Sequence, residues 1–508
     1  MLRSVARVVI LALVAPVLTT AGGQMLNRNP VPGGTITSSD YASRRAAATA
    51  AVDSGIVLAF GAVEPVVDWP NFFQVPTFQY LTGFGESDAV LVIVKRKGAL
   101  TSTMFVPTQS PVVARWVGER TAPRDLQGKI AVTGRDLAQL RAAVDSLVGT
   151  GLPVYVVPDI HNGDYVQEDS LTRGAACIKQ LKVAHPSLVP TSLHSVVNHL
   201  RARKSQAEIE LLRRAAEISA RGHREAMKAA APGCGENEIQ AILDGTFRRL
   251  GGDRPGYGSI VGSGRNATTL HYSDDNDMLR DGDLILIDAA TSFHHYSADV
   301  TRTFPVNGKF TPAQRDLYQL VRDAQEAFVR QIKAGTTLKS SNDAGKAIIS
   351  NGLTRFGLIE SPTATFDGTP DMKCPEGGCP QLNLFALHGY GGHGIGLEVH
   401  DPAQYYVAPG QVAVGDVFTV EPGVYVSPEF IALLPDTPKN RAMRAKIGPA
   451  VEKYKNLGVR IEDDYAMTDR GLEWLSSGVP REINEIEALM REPQLQLPGG
   501  GTCGTRRR

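Results

Sequence analysis

The chain has 508 residues, 42% of them apolar and 21% charged, with 51 Gly and 31 Pro spread along it. At ~150 residues per domain that length corresponds to about three domains, or two large ones, and the composition excludes wholesale disorder and a collagen-like repeat. Lys plus Arg and Asp plus Glu both total 53, so no global basic field exists to draw in a phosphate backbone, and nucleic acid is not expected as a partner.

Arg3 and Arg7 precede an apolar run over residues 8–18, and small residues follow around Thr19, Ala21 and Gly22. That layout is expected of a secretory signal peptide over residues 1–21, giving an exported chain, periplasmic or secreted. The run is shorter than the ~20 residues of a spanning helix, and nothing later approaches that length, so no stable membrane span is expected after cleavage.

From residue 34 to residue 200 the pattern is mixed α/β. Residues 55–60, 89–95, 102–106 and 154–157 read as strands between helical stretches. Ser205-Gln206-Ala207-Glu208 is a capping box that opens a long amphipathic helix running to Pro232-Gly233, and a second domain, residues 203–490, is placed from there. His223 falls inside this helix and is expected to be replaceable by Gln with little effect on rate. A second capping box, Thr311-Pro312-Ala313-Gln314, with Pro at the first helical position, opens a helix ending near Gly335. Residues 361–380 turn loop-like and read as an insertion. Cys374 and Cys379 enclose a short turn within it, either as a local disulfide or as two free thiols. Residues 491–508, with Cys503 in a Gly-rich stretch before three arginines, read as a disordered tail.

The second half concentrates ligand-type residues on strands. An apolar strand ends in Asp288, ten residues separate it from Asp299 on a second strand, and a turn falls near Phe293-His294. A hairpin about that turn sets the two acids opposite each other, and unpaired carboxylates on an apolar sheet call for divalent cations. Further on, a glycine-dense run surrounds His393 and leads to His400, one strand ends in Glu421, and Glu462 reads as mid-strand. Two Asp, one His and two Glu on separate strands favour a hard or borderline ion such as manganese over a thiolate zinc site.

Asp288, ten residues, Asp299, then His393, Glu421 and Glu462 reproduce the ligand order of the pita-bread metallopeptidases. The stretches Leu270-His271-Tyr272, Asp299-Val300-Thr301-Arg302-Thr303-Phe304-Pro305 and Glu421-Pro422-Gly423-Val424-Tyr425 resemble the Xaa-Pro aminopeptidase (aminopeptidase P) family. Phe78-Gln79-Tyr80-Leu81-Thr82-Gly83-Phe84 resembles the family's N-terminal domain, and the stretch from Pro480 to Glu487 resembles its closing helix. The resemblance implies an α/β protein with a smaller N-terminal domain and a C-terminal pita-bread domain. It implies two divalent metal ions, most simply Mn2+, with Asp299 and Glu462 bridging, Asp288 on one ion, and His393 and Glu421 on the other. Glu421 is also implied as proton acceptor, His271 and His400 as substrate-binding and proton-handling groups, and Arg460 as a residue that steadies the site.

The implied reaction removes the first residue from peptides with proline at the second position. An Xaa-Pro dipeptidase shares every ligand and is the nearest alternative; a non-catalytic peptide-binding relative would be expected to have lost ligands. A homo-oligomer is expected. Four departures from the family pattern stand out: Asp288-Ala289-Ala290 in place of Asp-Ala-Gly, Phe73 where an Arg is common, one extra residue between His388 and His393, and the 361–380 insertion.

Overall fold

A computed structural model of the protein describes residues 34–64, 71–159, 172–386, 392–402, 410–496 and 502–504. The expected signal segment and His388 lie outside the described residues. The N-terminal domain holds a six-stranded sheet built from β1 (Gly55–Phe60), β2 (Val90–Arg96), β3 (Ala99–Val106), β4 (Thr133–Asp136), β5 (Val154–Val157) and β6 (Thr191–Ser192), in the order β4-β3-β2-β1-β5-β6. β1, β2 and β3 run antiparallel in sequence; β4 joins β3, and β5 and β6 extend from β1, in parallel. β1 is buried along its whole length because its two faces meet different cores. Ile56, Leu58 and Phe60 pack with Val90, Phe105 and Leu181 on one side, while Val57 and Ala59 face a larger core that runs on into the second domain. Burial on both faces explains why this strand reads as an uninterrupted apolar run and not as an alternation.

Helix Gln206–Ala229 begins as expected: Ser205 Oγ accepts from the Glu208 amide and the Glu208 carboxylate accepts from the Ser205 amide. Its apolar stripe, Ile209, Leu212, Ala216 and Ala220, joins the common core. Helix Pro312–Arg330 starts at the Thr311 capping box and packs against helix Leu338–Phe356.

The strands of the second domain form two bent antiparallel ribbons. The first comprises β7 (Arg254–Pro255), β8 (Ile260–Ser263), β9 (Leu284–Asp288), β10 (Thr291–Phe293), β11 (Tyr296–Ser297) and β12 (Thr301–Pro305). β9 is flanked by β8 and β12, and β10 by β7 and β11. In the insertion, β13 (Thr365–Phe366) pairs with β14 (Cys379–Pro380), and Cys374 and Cys379 are disulfide-bonded. The second ribbon comprises β15 (Val417–Val420), β16 (Gly423–Val426), β17 (Leu457–Arg460), β18 (Asp463–Thr468) and β19 (Gly471–Trp474), with β15 on β18 and β16 on β17.

One expectation changes here. The C-terminal stretch is anchored and not wholly loose: Cys503 is disulfide-bonded to Cys234, the Leu495 amide donates to Lys228, and Gln494 Nε2 donates to the Ala229 carbonyl. A partner cysteine 269 residues away is invisible to local composition. His223, within its helix as expected, is fully buried, with Nε2 bonded to the Ala289 carbonyl at 2.8 Å. Burial pushes its pKa down to about 4, so the ring is neutral.

Candidate active site

Each of the four acids sits where a ribbon bends. Asp288 is the last residue of β9, Asp299 falls between β11 and β12, Glu421 between β15 and β16, and Glu462 between β17 and β18. Glu462 is therefore at a strand break and not mid-strand. In the second ribbon, Val420 faces Asp463 and Gly423 faces Arg460, and the same register carried across the break sets Glu421 opposite Glu462.

The first ribbon turns at His294 and His295, both with positive φ, between the paired residues Phe293 and Tyr296. That register pairs Asp288 with Thr301 and not with Asp299. The two acids are thus diagonal neighbours two residues apart on one face, not directly opposed, because a two-residue turn fixes the count. They are still close enough for the Asp288 charge to raise the Asp299 carboxyl.

Hydrogen bonds lock the ribbons together at the bends. The Glu462 amide donates to the Thr301 carbonyl, the Thr301 hydroxyl donates to Glu462 Oε2 at 2.6 Å, and the Asp299 amide donates to the Asp464 carboxylate at 3.1 Å. His393 enters from the segment beside β15: its amide donates to Thr419 Oγ1 and its carbonyl accepts from the Thr419 amide. A Cβ at Gly392 would lie 1.9 Å from the Thr419 carbonyl oxygen, so only glycine lets this segment approach. His393 Nε2 ends 3.3 Å from Asp299 Oδ2 and 3.3 Å from Glu421 Oε1.

Asp299, His393 and Glu462 offer ligand atoms within 4.8 Å of one another, the single such grouping of three or more among the described residues. Asp299 Oδ1 and Glu462 Oε1 are buried with no hydrogen-bond donor. Burial and the surrounding acids hold both carboxyls well above the usual range, and burial also pushes Glu421 up to about 7 against the pull of His393. Orphaned, crowded carboxylate oxygens beside one imidazole suit hard divalent cations, which supply the missing positive charge. Asp288 differs. Burial raises it, but the Arg460 guanidinium and hydrogen bonds from Arg460 and Tyr257 outweigh that and hold it below the ordinary carboxylate value.

Arg460 is buried and donates to Asp288, to the Tyr425 phenol at 2.8 Å and, from Nε, to the Thr301 hydroxyl at 3.1 Å. His400 is half-buried, and its ring meets His393 edge-on at 4.4 Å between centroids and 87° between planes. It lines a cavity of about 230 Å³ between the domains with Phe73, Arg254, His295 and Glu398. Phe73, one of the departures from the family pattern, lies 3.8 Å beneath the Arg254 guanidinium. His271 is exposed in the loop after residues 264–268, close enough for its charge to act on Asp288. Glu236 secures that loop, accepting from the Ser263 amide, Asn266 Nδ2, the Tyr272 phenol and the Asp277 amide.

Asp299, His393, Glu421 and Glu462 therefore meet at the bends, with Asp288 and Arg460 beside them and His400 against His393, while His271 is exposed in a neighbouring loop. Sequence reasoning missed Tyr257, whose hydroxyl donates to Asp288 Oδ1 at 2.5 Å, and the supporting roles of Glu236 and Asp464. Asp464 stands beside the Glu462 motif and was within reach of that signal; Tyr257 and Glu236 carry none, as each is brought in by chain packing.

The model of metallopeptidase family M24 matches residues 210–469, and that of the aminopeptidase P N-terminal domain matches residues 41–153. The chain is 34% identical over 425 residues to the Xaa-Pro aminopeptidase of Haemophilus influenzae, covering 82% of this chain and 88% of that protein. It is 34% identical over 423 residues, with the same coverage, to the Xaa-Pro aminopeptidase of Escherichia coli. Among solved structures, zinc-substituted E. coli aminopeptidase P in complex with product superposes with a TM-score of 0.74 at 30% identity, over 91% of this chain and 100% of that one. The same E. coli enzyme with the inhibitor Pro-Leu gives 0.73 at 31% identity, over 90% and 98%. A metal-suited cluster at the bends of two ribbons, behind an aminopeptidase P-type N-terminal domain, places this chain in the Xaa-Pro aminopeptidases of metallopeptidase family M24.

Proposed function

We propose that this protein hydrolyses the first peptide bond of chains with proline at the second position, releasing the N-terminal residue. The observation that carries the reading is the buried grouping of Asp299, His393 and Glu462 beside Asp288 and Glu421, with Asp299 Oδ1 and Glu462 Oε1 orphaned and in need of cations. Asp288, Asp299, His393, Glu421 and Glu462 would hold two divalent ions. Mn2+ is the proposed metal, on the strength of the oxygen-rich donor set. When bound, such ions lower the pKa of water toward neutrality and polarise a carbonyl.

The chain's own residues supply the rest. Glu421, with its affinity for a proton raised by burial, accepts the proton of the attacking water. His400, whose ring meets that of His393, and His271 serve the oxyanion and the leaving imino nitrogen. Arg460 keeps Asp288 ionised and fixed in place. An Xaa-Pro bond has no amide N–H on its far side, so a site that binds it must accept the ring and not a donor.

The test is steady-state hydrolysis by the manganese-loaded protein of Xaa-Pro-Xaa, Xaa-Ala-Xaa and Xaa-Pro peptides. Cleavage of the first alone supports the reading; preference for the dipeptide makes it an Xaa-Pro dipeptidase, and preference for the alanine peptide removes the proline specificity. Export is proposed too, on the charged and apolar pattern of residues 3–18 and on two disulfides that suit an oxidising compartment. N-terminal sequencing of the protein from its native host checks it, and a retained Met1 refutes cleavage.

A further inference from the structure

The segment joining the two domains carries three cations, each paired with a carboxylate of the catalytic domain, and two of them, Arg201 and Lys204, reach the residues that bracket His400. Arg201, near the end of helix His194–Ala202, donates from Nη2 to Glu398 Oε2 at 2.7 Å and to the Asp401 carboxylate. Lys204 Nζ lies 3.2 Å from the other Asp401 oxygen, and Arg203 Nη1 lies 2.9 Å from Asp416 Oδ1. The Lys204 amide donates to the Gly415 carbonyl. The side chains of Arg201, Lys204 and Asp401 are 1%, 1% and 2% exposed, so this is a buried cluster and not a surface pair.

Its two anchor points, Glu398 and Asp401, bracket His400 in the sequence. The turn they belong to is tight: the Gly396 amide donates to the Glu398 carbonyl, the Asp401 amide to the Gly394 carbonyl, and a Cβ on Gly396 would meet Asp401 Oδ2 at 2.1 Å. The same turn begins at His393, so one short segment presents both imidazoles, and the angle between them depends on how its far end is held. Near its start the turn is held by the Ser297 amide, which donates to the Gly396 carbonyl; the linker holds its far end through Glu398 and Asp401.

A buried ion cluster is a poor device for stability alone, since apolar side chains of like volume do as well or better, whereas it fixes geometry strongly. Arg201 Nε and Nη1 have no hydrogen-bond acceptor, so the guanidinium directs its bonding to the two carboxylates beside His400. We propose that Arg201 is a positioning residue, which reaches from the inter-domain linker to hold Glu398 and Asp401 and thereby sets the His400 imidazole against His393 and the cavity. The N-terminal domain then contributes to turnover by orienting a side chain of its neighbour as well as by walling the cleft. This rests on the proposed reaction, in which His400 acts on the substrate.

The experiment uses the full-length, manganese-loaded protein and a double-mutant cycle of Arg201→Met with His400→Asn on an Xaa-Pro-Xaa tripeptide. Arg201→Met is expected to lower kcat ~10–100-fold with KM changed less than ~3-fold, and to cost less than ~2-fold once His400 is already Asn. Arg201→Lys recovers most of the loss, because a single nitrogen serves both carboxylates in the native contact. Equal losses in the two backgrounds overturn the proposal, as does a folded Arg201→Met protein with normal kcat. A second readout is independent of turnover: the His400 ring signal in histidine-labelled NMR spectra, identified by its absence in His400→Asn, shifts in Arg201→Met. An unmoved signal also overturns the proposal. If Arg201→Met does not fold, Glu398→Gln takes its place in the same cycle. If the native protein leaves the peptide uncut, the functional reading fails while the ring signal still decides the positioning.

Discussion

Arg460 Nη2 donates to Asp288 Oδ2 at 2.5 Å, and both side chains are buried. The contact joins the two ribbons, since Asp288 closes β9 and Arg460 closes β17. It also separates Asp288 from the other acids, which are held protonated-leaning while Asp288 stays ionised.

Removing the cation leaves that carboxylate buried without a partner. Arg460→Met is therefore expected to lower the unfolding free energy of the metal-free protein by about 3–5 kcal/mol. Urea denaturation followed by circular dichroism checks it; a loss under ~1 kcal/mol would mean that the pair contributes little to holding the ribbons.

Glu421 has two proposed tasks, ligand and proton acceptor. Glu421→Gln keeps the size and one coordinating oxygen but removes charge and basicity, so turnover of an Xaa-Pro tripeptide should fall ~10²–10⁴-fold. Metal content, measured in parallel, should fall far less. Near-normal turnover would show that the proton goes elsewhere.

The metal-free protein should lose stability as pH rises. Burial raises Glu421 from 4.5 to about 7, so the folded state keeps a proton there that the unfolded chain has already released. The stability is fully present below pH ~4.5 and is lost as pH climbs through ~7, by roughly 3 kcal/mol for this group. Asp299 and Glu462 are raised as well and extend the loss in the same direction. Cations replace those protons, so the manganese-loaded protein should show no such decline. Urea midpoints between pH 5 and 8, with and without chelator, distinguish the two; parallel curves would count against a cation site at the cluster.

His223 bears on stability and not on chemistry. Its Nε2 bond to the Ala289 carbonyl supports the residue that follows Asp288, and its ring is neutral at ordinary pH. His223→Gln can keep a donor near that carbonyl but leaves part of the ring's volume empty. The expected cost is ~1–3 kcal/mol in unfolding, with kcat of the folded protein within a few-fold of native. A large fall in kcat without loss of stability would give His223 a role in the site.

Elements with local signals are legible from the amino-acid order alone. The capping boxes at Ser205 and Thr311 start helices because side chain and backbone satisfy each other within three residues, and β1 is legible because burial on both faces leaves a continuous apolar run. The five ligand-type residues were legible as a set, since their order and spacing resemble those of a known family. The remaining features depend on register and on partners far apart in the chain. Asp288 faces Thr301 because the turn consists of His294 and His295, and Glu462 lies in a break because the ribbon bends there. Cys503 finds Cys234, and Arg201 finds Glu398 and Asp401 nearly two hundred residues away. Such pairings leave no periodicity or spacing to read, because they follow from where packing brings two surfaces together and not from the local preferences of either segment.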